Sequence, residues 1–169
     1  IGVQLNAVNT SMLVTHNSIS VAGIGSQGIT IGGTAPALIT YNDIVGASAG
    51  IGIDTADGQF TIQNNNVNDF ATGLHVAAGT TVAANNLVFE NNFSGNTIGV
   101  DHEGAGIIQA SGNYWGFVTD DASFQAYFAH NAVLGINSGS IDVTPFLKDG
   151  TDGNGATVGF VGNFHTLFV

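Results

Sequence analysis

Apolar and polar residues alternate in a recurring order over the first two thirds of the chain. Five segments each carry a short strand-like stretch, an asparagine, and a large apolar residue two positions later. The aligned asparagines, 22 to 26 residues apart, are Asn17, Asn42, Asn65, Asn91 and Asn113. The large apolar residues that follow them are Ile19, Ile44, Val67, Phe93 and Trp115. Such a fixed spacing predicts a fold built from similar repeating units.

A second marker, a glycine followed by an apolar residue, keeps nearly the same period. It occurs as Gly23-Ile24, Gly50-Ile51, Gly73-Leu74 and Gly99-Val100. Periods of about 20 to 30 residues are typical of leucine-rich repeats and of parallel β-helices. Because the units are β-branched and rich in Gly and Asn, they favour a β-solenoid in which each coil contributes about three short strands.

Stacked coils give the recurring asparagines a structural role. Equivalent positions lie directly above one another, and an Asn side chain both donates and accepts hydrogen bonds, so the five asparagines are predicted to form a ladder. Asn also tolerates the left-handed backbone of a tight corner. In "TIQNNNV", Asn65 is the expected ladder residue, and the flanking Asn64 and Asn66 are expected to point outward. The alternative is that these asparagines form an exposed polar loop.

The periodicity is lost after the fifth segment. We therefore assign the coils to residues 1–116 and a C-terminal cap or extension to residues 117–169. Within the second region, "DDASFQAYFAH" at 120–130 predicts one short helix with Asp120 or Asp121 as its N-cap. The sequence thus predicts an all-β fold with a single helix in its capping region.

Two motifs resemble the right-handed parallel β-helix repeat family, often called pectate-lyase-like. They are "SGNYWG" at 111–116 and "IDVTPFL" at 141–147. In many members of that family the last coil ends in Asn-Tyr-Trp-Gly, and a Val-x-x-Pro-Trp/Phe-Leu strand follows. The stretch at 150–169 is similar to the tail of β-helix modules in large extracellular bacterial repeat proteins. The resemblance implies a right-handed parallel β-helix, here of about five coils, and an extracellular or cell-surface setting.

The composition restricts the partners that such a solenoid can have. The formal net charge is −11, there is no Arg, and Lys148 is the only Lys. An acidic surface of this kind repels nucleic acid and anionic lipid, so neither is an expected partner. No apolar run approaches the ~18 residues of a membrane span, so insertion into a membrane is not expected. Because there is no Cys, the chain has neither a disulfide nor a thiolate metal site.

The catalytic patterns that the resemblance implies have no matching positions in this chain. Lyases of the family use Arg or Lys as the base, whereas Lys148 lies outside the coils. Hydrolases of this fold combine clustered aspartates with a Gly-His-Gly and a basic motif, both absent here. The pair Asp120-Asp121 fits a helix N-cap instead. Because a fold alone does not determine an activity, we predict that the protein is not an enzyme.

Histidines and acidic residues offer weak alternatives to this conclusion. In "VDHEGAG", strand alternation places Asp101 and Glu103 on one side and His102 on the other. This stretch is therefore expected to be a solvated corner and not a metal or acid–base site. The remaining histidines show no ligand spacing; they are His16, His75, His130 and His165.

A glycine-rich stretch near the C-terminus is the one candidate metal site. "DGTDGNG" at 149–155 carries Asp149, Asp152 and Asn154, whose oxygen atoms could hold calcium. Their spacing matches neither the EF-hand nor the nonapeptide calcium repeat, and the alternative is a plain turn. We expect no other cofactor.

The function predicted from the sequence is structural. We expect a β-solenoid module of an extracellular or cell-surface protein, such as a stalk, adhesin segment, sheath or filament subunit. Its partners would be other copies stacked end to end, or further coils of a larger parent chain, because open coil edges are templates for pairing. The alternatives are a polysaccharide-binding or polysaccharide-degrading protein and a calcium-dependent adhesive module.

Overall fold

The computed structural model describes residues 1–7, 9–116 and 140–168. Almost all of its regular structure is strand, as the β-branched composition predicts. The first nine strands are β1 (Val3–Ala7), β2 (Met12–Thr15), β3 (Ser18–Ser20), β4 (Gln27–Gly33), β5 (Ala37–Thr40), β6 (Asp43–Val45), β7 (Ile51–Thr55), β8 (Phe60–Gln63) and β9 (Asn66–Asn68). The others are β10 (Thr72–Val76), β11 (Leu87–Phe89), β12 (Ile98–His102), β13 (Ile107–Gln109), β14 (Ser140–Asp142), β15 (Phe146–Leu147) and β16 (Leu167–Phe168), with a 3₁₀ helix at Phe164–Thr166.

Three parallel sheets run along the molecule. Sheet A has the order β1-β4-β7-β10-β12, sheet B is formed by β2, β5, β8 and β11, and sheet C has the order β3-β6-β9. The chain passes from A to B to C and returns to A one coil further on. The predicted parallel β-solenoid is therefore confirmed, but it has about four turns and not five. The last two units are incomplete on their third side, where the single bridging residues Asn92 and Tyr114 stand in place of a full strand.

The core is a stack of equivalent apolar side chains inside the coils. The five large apolar residues that follow the aligned asparagines are all at most 8% exposed. The rings of Phe93 and Trp115 stack with centroids 5.2 Å apart. Fully burying a side chain of this size stabilises the fold by about 1.5–3 kcal/mol. Because each side chain packs against those above and below it, one coil alone could not bury its apolar surface.

The five aligned asparagines lie in one column between sheets B and C. The side-chain amide of each donates to Oδ1 of the next, over 3.0 Å from Asn17 to Asn42 and over 2.9 Å at each later step. The backbone N–H of each of the first four donates to the same Oδ1. Buried polar groups that are paired in this way avoid the cost of desolvation.

The left-handed corner belongs to the residue before each ladder asparagine. Before the first four asparagines these residues have φ between 52° and 56°, and they are His16, Tyr41, Asn64 and Glu90; before Asn113 the residue is Gly112, with φ 71°. Only one of them is an asparagine, although asparagine is among the residues that tolerate this conformation best. The conformation is therefore imposed by the stack and not chosen by residue type.

Of the two neighbours of Asn65 that were predicted to point outward, Asn64 is nevertheless buried. Asn64 is only 3% exposed because the C-terminal segment crosses it. Its side-chain amide donates to the Phe160 carbonyl over 3.1 Å, and the Phe160 N–H donates to the Asn64 carbonyl over 2.9 Å. Asn66 remains partly exposed and donates to Asp43 Oδ1 over 2.8 Å.

The register corrects two of the predicted glycine markers. Sheet A aligns Gly28 and Gly52 with Gly73 and Gly99, whereas Gly23 and Gly50 precede their strands in left-handed turns. The reason is packing: a Cβ at Gly28 would lie 2.5 Å from Ile44 Cγ2 and 2.6 Å from the Gly52 carbonyl oxygen. At Gly73 the same position would meet the ring of Phe93 at 2.9 Å. The lack of a side chain at each aligned glycine therefore leaves room for the large apolar residue of the same coil.

The C-terminal region first continues the stack and then folds back along it. Strand β14 pairs in parallel with β13, and β15 pairs antiparallel with β16. The fully buried Phe160 packs against the side of the coils, and the ring of Phe164 stacks on that of Phe89 with centroids 5.6 Å apart. The helix predicted at 120–130 lies outside the described residues. No helix within the described part of the chain has the length and apolar character needed to cross a membrane.

Candidate functional site

Sheet A carries a column of polar side chains on its outer face. The strand register aligns Gln4, Thr30, Asp54, His75 and Asp101 from five successive strands. Their neighbours in β4, β7, β10 and β12 are buried inside the coils, so strand alternation turns this column outward. The five strands of sheet A thus place residues that are distant in sequence on one line.

Three members of this column, Asp54, His75 and Asp101, form a cluster with Glu103. Glu103 lies two residues after Asp101 and on the same side of the chain. His75 Nδ1 lies 2.7 Å from Asp54 Oδ1, and His75 Nε2 lies 3.7 Å from Glu103 Oε2. One ligand atom from each of His75, Asp101 and Glu103 lies within 4.8 Å of the other two. Among residues 1–7, 9–116 and 140–168, no other three His, Asp or Glu side chains converge in this way.

The electrostatics of the cluster follow from its three carboxylates. The pKa of His75 is raised above its ordinary value, chiefly by the hydrogen bond to Asp54. Burial of the ring acts in the opposite direction, while the negative charges of Asp54, Asp101 and Glu103 raise the pKa further. Because Asp54 accepts a hydrogen bond from Nδ1, the neutral imidazole keeps its proton there and leaves a lone pair on Nε2.

Asp54 is itself held by the preceding coil. Its Oδ2 accepts a hydrogen bond from Gln27 Nε2, and Gln27 Oε1 in turn accepts one from Thr30 Oγ1 over 3.3 Å. Both carboxylate oxygens of Asp54 are therefore occupied, one by Gln27 and one by His75. This makes Asp54 a positioning group for the imidazole.

The donor atoms of the cluster suit a divalent transition metal. One imidazole nitrogen and two carboxylates are a set that Zn²⁺ and Cu²⁺ accept, whereas Cu⁺ prefers thiolate and thioether ligands. The chain has no Cys, and its single Met, Met12, is buried in the core of sheet B. The cluster thus fits oxidised copper or zinc and not reduced copper.

The sequence prediction for "VDHEGAG" was incomplete. Asp101 and Glu103 share the outer side, and His102 is buried, with its pKa lowered mainly by that burial. The prediction that this stretch lacks convergent ligands overlooked His75, which joins from the preceding coil. The signal that could have revealed the cluster is the column of aligned glycines, Gly52, Gly73 and Gly99. Asp54, His75 and Asp101 each follow one of these glycines by two residues.

The predicted calcium loop at 149–155 uses its oxygen atoms internally. Asp149 Oδ1 accepts hydrogen bonds from the N–H and the hydroxyl of Thr151, which lower the pKa of Asp149. Asp152 Oδ1 accepts from the N–H groups of Asn154 and Val161. In the described residues no third His or carboxylate joins Asp149 and Asp152. A calcium site here stays a prediction.

The chain matches a known protein family over most of its length. A family model described as "NosD: Periplasmic copper-binding protein (NosD)" matches residues 2–134. This range includes every turn of the solenoid and the whole cluster on sheet A. No curated protein and no solved structure matches the chain significantly.

Proposed function

Because the chain belongs to the NosD family of right-handed parallel β-helices, we propose that it is a rigid structural module of a protein in the cell envelope or outside the cell. In this proposal the solenoid acts as a stalk, sheath or filament segment and catalyses no reaction. The description of the family as periplasmic supports a location beyond the cytoplasm. The acidic, almost Lys- and Arg-free composition supports the same setting, because it removes the cleavage sites of trypsin-like proteases.

The observation that carries this proposal is the uninterrupted asparagine ladder. It connects every coil from Asn17 to Asn113, and its last four members are fully buried. Bending the rod would stretch these rungs together with the parallel backbone ladders on either side of them. Since an unsatisfied buried polar group costs about 1–3 kcal/mol, the solenoid resists such bending.

The first coil supports the proposed mode of assembly. Strands β1, β2 and β3 are the terminal strands of sheets A, B and C, so one edge of each strand has no described partner. Exposed strand edges are templates for further pairing. We propose that another coil stacks on this end, either from a larger parent chain or from a second copy.

Electron microscopy of the purified chain, combined with light scattering over a range of concentrations, tests this function. Rods whose length increases in steps of one chain, or ordered stacking on neighbouring coils in the parent protein, are the expected results. A compact monomer at all concentrations, together with a parent protein that has no coil next to this end, would contradict the assembly.

Enzyme assays test the non-catalytic part of the proposal. Reducing-sugar and unsaturated-product assays on neutral and acidic polysaccharides are expected to remain at the level of a heat-denatured sample. Turnover that disappears when Asp101 or Glu103 is replaced would show instead that the outer face of sheet A is an active site.

A further inference from the structure

We propose that His75, Asp101 and Glu103 form a binding site for a divalent transition-metal ion, with Cu²⁺ as the preferred ion. The inference goes beyond the structural role, because a rigid stalk needs no metal on its outer face. It rests on the distances, orientation and charge of these side chains. The family description names copper but assigns no residues.

The distances between the ligand atoms already approach those of a metal site. Nitrogen and oxygen ligands lie about 2.0–2.2 Å from such an ion, so two ligands of one ion are at most about 4.4 Å apart. His75 Nε2 and Glu103 Oε2, at 3.7 Å, are within this limit. In the complete set all ligand atoms lie within 4.8 Å of one another, which is close to this limit. Glu103 is 42% exposed and can therefore move to close the remaining gap.

The imidazole is oriented as metal-binding histidines are. Such histidines almost always donate their second ring N–H to a carboxylate or carbonyl, which fixes the tautomer and the direction of the lone pair. Here Asp54 accepts from Nδ1 over 2.7 Å and Nε2 faces Glu103. Gln27 holds Asp54 from the coil before. The support therefore extends over two coils beyond the proposed ligands.

The charge of the cluster favours a cation. Three carboxylates, those of Asp54, Asp101 and Glu103, surround one imidazole. Even a protonated His75 would neutralise only one of the three negative charges. A divalent ion would offset two, and partial burial strengthens its attraction to the carboxylates.

The donor types select among divalent ions. The imidazole nitrogen disfavours Ca²⁺ and Mg²⁺, which take oxygen ligands. Among first-row ions, a nitrogen and oxygen site binds Cu²⁺ more tightly than Zn²⁺. The site is also distinct from the glycine-rich loop at 149–155, which contains oxygen donors only.

Calorimetric titration with CuSO₄ and electron paramagnetic resonance of the same samples test the site. The ligand variants are His75→Asn and Glu103→Gln, and the positioning variant is Asp54→Asn. The matched controls are His16→Asn, which removes an exposed histidine, and Asp149→Asn, which removes the same charge outside the cluster. Circular dichroism and thermal unfolding identify variants that fail to fold.

One Cu²⁺ per chain is expected, with hyperfine splitting from one imidazole nitrogen. His75→Asn should abolish that splitting, and both ligand variants should weaken binding at least about tenfold. Asp54→Asn should weaken binding about 10- to 100-fold while the nitrogen signal remains, since that is the usual effect of losing a supporting hydrogen bond. Both controls should bind as the unaltered chain does, and Zn²⁺ should displace Cu²⁺ only when in excess.

Several results would overturn the site. Unchanged binding in His75→Asn would show coordination by the N-terminal amine or another histidine, and an equal loss in Asp149→Asn would show attraction by net charge alone. If His75→Asn does not fold, Glu103→Gln decides, because Glu103 is partly exposed. Loss of the site would leave the rods seen by microscopy unaffected, so the two proposals can fail separately.

Discussion

Replacing Asn65 by Leu removes one rung from the middle of the ladder without leaving an empty space. In the native chain the Asn65 side chain donates to the Ile39 and Gln63 carbonyls and to Asn91 Oδ1. Its own Oδ1 accepts from the backbone and side-chain N–H groups of Asn42. All of these bonds are lost in Asn65→Leu, while the leucine keeps the branched arrangement of heavy atoms with a somewhat larger side chain.

The size of the effect follows from which groups lose their partners. The backbone N–H of Asn42 is buried and donates to Asn65 Oδ1. Leaving such a buried donor without a hydrogen-bond partner costs about 1–3 kcal/mol. The side-chain amide of Asn42 keeps the carbonyls of Val14 and Thr40, so its loss is partial. We therefore expect Asn65→Leu to lower the free energy of unfolding by about 2–4 kcal/mol.

Urea unfolding followed by circular dichroism measures this change, and Asn17→Leu is the matched control. Asn17 is exposed at the first rung, so the same substitution there should cost less than about 1 kcal/mol. Equal midpoints for the two variants, or a neutral Asn65→Leu, would refute the view that buried rungs stabilise the stack. A large loss in the control would refute it as well.

Three further predictions test the glycine column, the histidine and the C-terminal segment. Gly28→Ala should destabilise by about 1–3 kcal/mol through overpacking, whereas Gly155→Ala, whose added Cβ would meet only one atom at 3.9 Å, should be close to neutral in the same unfolding assay. Because the pKa of His75 is raised from 6.5, its stabilising contribution is complete below that pH and is lost as the pH rises through the folded-state pKa. The difference in unfolding free energy between the unaltered chain and His75→Asn, measured with chelator present, should therefore be largest at acidic pH; a difference that grows with pH would contradict this. Phe160→Ala should release the C-terminal segment, seen as faster proteolysis after residue 148 with the coils intact, and an unchanged cleavage rate would count against its anchoring role.

The solenoid could be predicted because its inward positions repeat directly above one another. A large apolar residue two positions after each asparagine must fill the same space in every coil, so the pattern survives differences in coil length. This pattern, together with the β-branched, Gly- and Asn-rich composition of the units, predicts the parallel β-solenoid. The number of turns does not, because the fifth asparagine and its Trp115 sit in an incomplete unit.

The glycine register could not be predicted in the same way. Glycines occur both in the left-handed turns before the strands and within the strands, and the chain alone does not distinguish Gly50 from Gly52. The structure distinguishes them, since only Gly52 lies beneath Val67. Aligning the strands on Gly50 instead of Gly52 shifts the register by two residues. Such a shift leaves the same side chains on the same face of the strand, so the apolar pattern cannot reveal the wrong register.

The cluster on sheet A could not be predicted either, because it exists only in the correct register. Asp54 and His75 are 21 residues apart, and their contact exists only because β7 and β10 pair with Asp54 opposite His75. No local motif marks such a site. Aligned on the glycine column, however, the coils show three ionisable residues in one column.

The asparagine ladder also has a direction. In every bond between two ladder asparagines, the side-chain N–H belongs to the earlier coil and the accepting Oδ1 to the following one, so these bonds all run in the same direction along the axis. A coil stacked before Asn17 could continue the series only by donating to it. Two identical ends brought together would oppose donor to donor or acceptor to acceptor. Any assembly that extends the ladder is therefore head-to-tail, which gives a polar filament with two different ends instead of a closed, symmetric dimer.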